Sequence, residues 1–112
     1  MSADVWIKIP PCGHCGRSDE MGEELNVTYN LSAMLTAAGF MGWPKIVGRP
    51  ATFVGRHIIE VLDFMAEDPD KWRAMNPENG WGSYDVCLQG RMRRWAQACL
   101  DAPTGATIGG WL

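Results

Sequence analysis

The residues best equipped for chemistry stand together near the start of the chain, in Pro11-Cys12-Gly13-His14-Cys15-Gly16. Two cysteines spaced C-x-x-C can present two thiolates to one tetrahedral zinc ion. Gly13 and Gly16 permit the backbone turns in which N–H groups face the sulfurs. Zinc then needs two more ligands. His14 lies inside the motif, and His57 and Cys87 complete the candidate metal set of Cys12, Cys15, His14, His57 and Cys87. Cys87 and Cys99 cannot both serve one ion from an intact helix, because about 18 Å of axis and about 120° of rotation separate them. Two other readings stand beside zinc. A thiol redox pair normally opens a helix, whose dipole lowers a thiol pKa, and the two glycines disfavour a helix there. A structural tight turn with free thiols needs no metal.

A second kind of chemistry is recognition. Asn26-Val27-Thr28-Tyr29-Asn30 and the stretch from Asn76 to Asp85 are rich in amides and aromatic rings. Such residues can stack a flat ligand and hydrogen-bond its edge. The candidate ligand-binding residues are therefore Tyr29, Asn30, Asn79, Trp81, Tyr84 and Asp85. The same residue types also cap helices, make turns and plug small cores. The acidic run Asp19, Glu20, Glu23, Glu24 reads as a solvated approach to the first helix. No P-loop, G-x-S-x-G, H-E-x-x-H or G-x-G-x-x-G occurs, and no spacing marks a catalytic triad.

These residues need a scaffold. The chain has 112 residues, 46% apolar and 21% charged, which fits one ordinary globular domain over 1–112 and excludes a disordered tail. The net charge of −3 lacks the basic footprint of a nucleic-acid binder. The arginines at 91, 93 and 94 read as the solvated face of a helix. No apolar run approaches the roughly 18 residues of a membrane span, and the first residues lack a basic start and an apolar stretch, so a secretory signal is not expected. Four cysteines without a leader imply reduced thiols in a cytoplasm.

Strand alternation marks both ends of the chain. Val5, Ile7 and Ile9 share one face of the first strand, and Trp6 and Lys8 the other. Ala106 to Leu112 alternate likewise, so the two ends should pair antiparallel with Trp6 and Trp111 on the outer side. Between them the pattern is helical. Thr28 or Asn30 caps a short helix bearing Leu31, Met34, Leu35 and Ala38, closed by Gly39. A Gly/Pro loop follows, with a short extended piece at Ile46-Val47. The second helix runs from about Ala51 to Glu67 on Val54, Ile58, Val61, Leu62 and Met65. Asp68-Pro69 opens a short helix with Trp72 and Met75. Ser83 caps the last helix, whose core stripe is Tyr84, Leu88, Met92, Trp95 and Cys99, with Gln89, Arg93, Arg94 and Gln97 pointing away. The fold class is α+β: a mostly helical middle closed by a small antiparallel sheet of the terminal strands.

The Cys12–Cys15 knuckle is similar to half of a zinc ribbon, over about six residues and without the second C-x-x-C. Taken together, CGHCG, NVTYNLSAM, DPDKWRAMNPENGWGSYD and the strand tail resemble small uncharacterised proteins of actinobacteria and their phages. That resemblance implies a cytoplasmic accessory protein of a bacterial or phage-infected cell and carries no activity with it. The expected function is a small binding protein, encoded by a phage or mobile element, that takes a host protein or a small polar ligand on its aromatic and Asn-rich loops. The alternative is a metal-dependent or thiol enzyme centred on Cys12, His14 and Cys15. Zinc is the one cofactor expected, and neither nucleic acid nor membrane is an expected partner.

Overall fold

The first strand, β1 (Ser2–Ile9), alternates buried Ala3, Val5 and Ile7 with outward Asp4, Trp6 and Lys8, as its sequence predicts. The structure, a computed structural model, describes residues 2–10, 20–77 and 82–112. The elements in chain order are β1, β2 (Glu20–Thr28), a 3-10 turn (Tyr29–Leu31), α1 (Ser32–Ala37), α2 (Trp43–Ile46), α3 (Ala51–Ala66), α4 (Pro69–Arg73), a π-helical segment (Tyr84–Met92), α5 (Arg93–Leu100) and β3 (Thr107–Trp111). The fold is α+β, and the terminal strands pair antiparallel in register Asp4↔Trp111, Trp6↔Gly109 and Lys8↔Thr107.

The sheet has a third strand. Its order is β2-β1-β3, and β2 occupies the place expected for a solvated acidic approach. Among its residues with described side chains, Leu25 and Val27 are the buried ones, so the visible alternation is short. A bulge breaks the pattern further: Trp6 faces Glu24 and Lys8 faces Met21, so Gly22 and Glu23 together oppose Ile7. On the other side, segment 48–51 lies along β3, through Gly48 N–H to Ile108 O (2.7 Å), Ile108 N–H to Arg49 O (3.0 Å) and Ala51 N–H to Ala106 O (2.8 Å). The extended piece expected at Ile46-Val47 is displaced to this segment, and Ile46 closes α2 instead.

One hydrophobic core joins the inner sheet face to the helices. All five residues of the α3 stripe are buried, and so are all five of the last-helix stripe. Thr28 caps the first helical turn, accepting from Asn30 N–H, and Ser83 accepts from Val86 N–H. Asp68 stands at the N-cap of α4 but makes no side-chain capping bond. The last helix begins as a π-helix rather than an α-helix. At about 100° per residue, an α-helix would put Gln89 about 140° from Tyr84. The wider i→i+5 turn brings them together, and Gln89 Nε2 donates to Tyr84 Oη (2.9 Å) and Leu62 O (2.8 Å). Gln89 and Arg93 therefore face α3, correcting the outward reading, and Arg93 also pairs with Asp63 at 2.9 Å. Gly55 lets α3 meet α5 closely, since a Cβ there would lie 2.7 Å from Ala96 O.

Trp95 ties this helix to the sheet. It is 2% exposed, and its Nε1 donates to the carbonyl of bulge residue Glu23 at 3.0 Å. Trp95→Ala should cost about 3–5 kcal/mol, whereas Arg94→Ala, on the exposed side, should cost about 0.5 kcal/mol or less. Urea melts of the two variants check this, and equal losses would show the helix face inverted.

Candidate functional site

The expected site residues divide between the core, an ion-pair cluster and undescribed segments. Tyr84 is 1% exposed and belongs to the core. Asp85 accepts from Arg73 Nε, whose one N–H is shared between both carboxylate oxygens, and from Arg73 Nη2, while Asp70 accepts from Arg73 Nη1 at 3.0 Å. Hydrogen bonding from Arg73 holds the Asp85 carboxyl below its usual range. Tyr29 is half-buried against the core, and Asn30 is exposed beside the Thr28 cap. Asn79 and Trp81 lie outside the described residues. The two loops do meet, because a Cβ on Gly82 would come within 2.7 Å of Thr28 Cγ2.

The metal candidates divide likewise. Cys12, His14 and Cys15 lie outside the described residues. Cys87 is half-buried, and its Sγ accepts from Ser83 N–H at 3.5 Å. His57 Nε2 accepts from Met41 N–H at 3.1 Å, while the ring stacks on Phe40 at 5.7 Å. That nitrogen is therefore bare and already engaged. Among the described residues, no three His, Cys, Asp or Glu side chains gather in a group that could hold a metal. Cys99 is fully buried. Burial, with the Glu23 carboxylate adding to it, pushes its thiol up to about 12, which makes it an inert core residue.

The outer sheet face presents a different constellation. Strand register arranges it in rows. Glu24, Trp6 and Gly109 lie side by side, and Asn26, Asp4 and Trp111 form the next row. Trp6 leans over Gly109 so closely that a Cβ there would lie 2.5 Å from Trp6 Nε1. A side chain at 109 would lift the indole off the sheet. Trp111, diagonal to Trp6 on the same face, is 75% exposed. Asn26 Nδ2 donates to Asp4 Oδ1 and to Ser2 Oγ. Between the indoles and Glu24 runs a trough of about 490 Å³, floored by Asp4, Val5, Leu25 and Asn26. A smaller groove of about 260 Å³ lies beyond Glu24, bounded by Glu23, Arg91, Arg94 and Trp95.

The sequence places Trp6 and Trp111 on the outer side but does not mark this face as a site. Asp4 could have been added from its alternation with Trp6. Glu24 and Asn26 required knowledge of β2. No helix among the described residues is long and apolar enough to cross a membrane.

Two outcomes follow from this chemistry. Burial lowers the His57 pKa, with Glu60 partly opposing it. The folded form thus resists protonation that the unfolded chain accepts near the ordinary value of about 6.5. Stability should be full above that value and fall as pH drops through it. His57→Gln should flatten the melting temperature between about pH 7.5 and 5.5 relative to the wild type. Zinc at the knuckle would require Cys12 and Cys15 thiolates, with binding energy added to folding. Cys12→Ser should then lower both zinc content and melting temperature, and chelator should affect only the wild type. Elemental analysis finding below about one-tenth zinc per chain, in protein never exposed to chelator, would reject the metal. No protein-family model, curated protein or solved structure matches this chain.

Proposed function

We propose that the protein is a small non-enzymatic binding protein whose docking surface is the outer face of its sheet. The supporting observation is that Trp6 and Trp111, diagonal neighbours on the outer face, both border the acidic trough of Asp4 and Glu24. Large aromatic side chains beside a groove concentrate binding energy, because they bury much area at small entropic cost. Trp111 makes this case most directly, being largely exposed at the rim. Of the loop residues expected to bind, Tyr84 and Asp85 already have intramolecular partners in Gln89 and Arg73. An accessory role in a cytoplasm, phage- or mobile-element-encoded, is the setting that the sequence resemblance implies for such a protein.

Affinity capture compares the wild type with Trp111→Ala, the Trp6→Ala/Trp111→Ala pair and Tyr29→Ala. The wild type and Tyr29→Ala should retain a common partner, and the double variant should lose it. Trp111→Ala alone should leave stability within about 0.5 kcal/mol, so lost capture there reports the surface and not the fold. Capture lost in Tyr29→Ala but kept in the double variant would move the binding surface to the loops.

A further inference from the structure

Resting on the reading of the sheet face as the docking surface, we propose that the trough takes an arginine side chain presented by a partner protein. The polar groups in it are selective in kind. Asn26 spends its donor nitrogen on Asp4 Oδ1 and Ser2 Oγ. Among the described residues, Asp4 Oδ2 and the Glu24 carboxylate receive no side-chain hydrogen bond and form no ion pair. Trp6 Nε1 is turned down onto Gly109. The carboxylates lining the trough accept hydrogen bonds, and an occupant that donates them suits Asp4 and Glu24. A carboxylate-bearing ligand would set its negative charge against Asp4 and Glu24.

Charge and shape narrow the donor to a planar cation. Asp4 and Glu24 supply negative charge on a chain of net charge −3. Lys8 lies on the same face but beyond Trp6, outside the trough. Arg91 and Arg94 line the neighbouring groove, and neither forms an ion pair with Glu24. Tryptophan is the strongest aromatic partner for a cation. A guanidinium can stack flat on an indole while its edge reaches a carboxylate, which a compact ammonium cannot do. The trough is open, with Trp111 exposed at its rim. A small free ligand is usually enclosed over most of its surface, so this geometry favours a side chain delivered on a larger body. Leu112, 52% exposed beside Trp111, extends the apolar rim that such a body would cover.

The test uses the full chain, labelled with ¹⁵N, and three capped glycine-flanked peptides carrying arginine, lysine or citrulline at the centre. Citrulline keeps the shape of arginine without its charge. The arginine peptide should shift the indole N–H resonances of Trp6 and Trp111 and bind about tenfold tighter than the citrulline peptide. The lysine peptide should fall between them, and added salt should weaken the arginine complex. Glu24→Gln and Asp4→Asn, each checked for an unchanged urea midpoint, should each weaken the arginine peptide about fivefold and leave citrulline unaffected. Equal binding of arginine and citrulline would overturn the arginine assignment. So would shifts that avoid both indoles, or no shift with any peptide. In each of those cases, partner capture that still depends on Trp6 and Trp111 would leave the docking surface standing.

Discussion

The fold turns on one hydrogen bond between residues 72 apart, from the indole of Trp95 to the carbonyl of Glu23. The bulge in β2 makes it possible. Two residues opposite one free the strand from strict pairing, and the Glu23 carbonyl then meets a donor from the last helix. The bond satisfies the indole at a fully packed position, where an unpaired polar group would cost about 1–3 kcal/mol. It also sets how far α5 approaches the sheet, because the ring and its donor must be placed together. The inner sheet face is thereby committed to the helices, and among the described residues no helix packs on the outer face.

Helix packing completes the arrangement. Gly55 removes the side chain that would hold α3 away from α5, so the backbones come close. The π-helical segment turns Gln89 inward, where it spans Tyr84, Leu62 and Arg93. This bridge is polar but short and fully used. The Arg73–Asp85 and Arg93–Asp63 pairs are in contact with solvent, and such pairs add little to stability. Burial of Trp72, Trp95, Tyr84 and the aliphatic stripes must therefore supply most of the stability, at roughly 1.5–3 kcal/mol per large side chain.

What the sequence discloses follows from which signals are local. Val5 and Ile7, or Val54 and Ile58, repeat at the period of their element, so both terminal strands and α3 were legible. Glu20–Thr28 was not, because Gly22 and Glu23 interrupt the alternation and four of its residues are acidic or amide. Glu24 and Asn26 belong to the trough only through that strand, so the site was half visible. The direction of Gln89 is hidden for a related reason. It depends on the turn width, and no residue between 84 and 92 announces an i→i+5 turn. His57 shows the same limit, since its partner, Met41 N–H, is set by a loop rather than a period.

The two outer tryptophans differ in what the fold asks of them. Trp6 covers Gly109, shielding a stretch of β3 that has no side chain of its own. An aromatic ring over a cross-strand glycine is a recognised way to stabilise such a pair, so Trp6 has a structural use even with no partner bound. Trp111 covers nothing comparable, at 75% exposure. Its diagonal neighbour is Trp6, and directly across from it stands Asp4, a carboxylate and not an apolar mate. An indole held in water beside a carboxylate adds little to folding, since its apolar area stays wet. The same placement suits a ligand that is flat on one side and positively charged at its edge. The fold accounts for the first tryptophan and gives the second no comparable packing use.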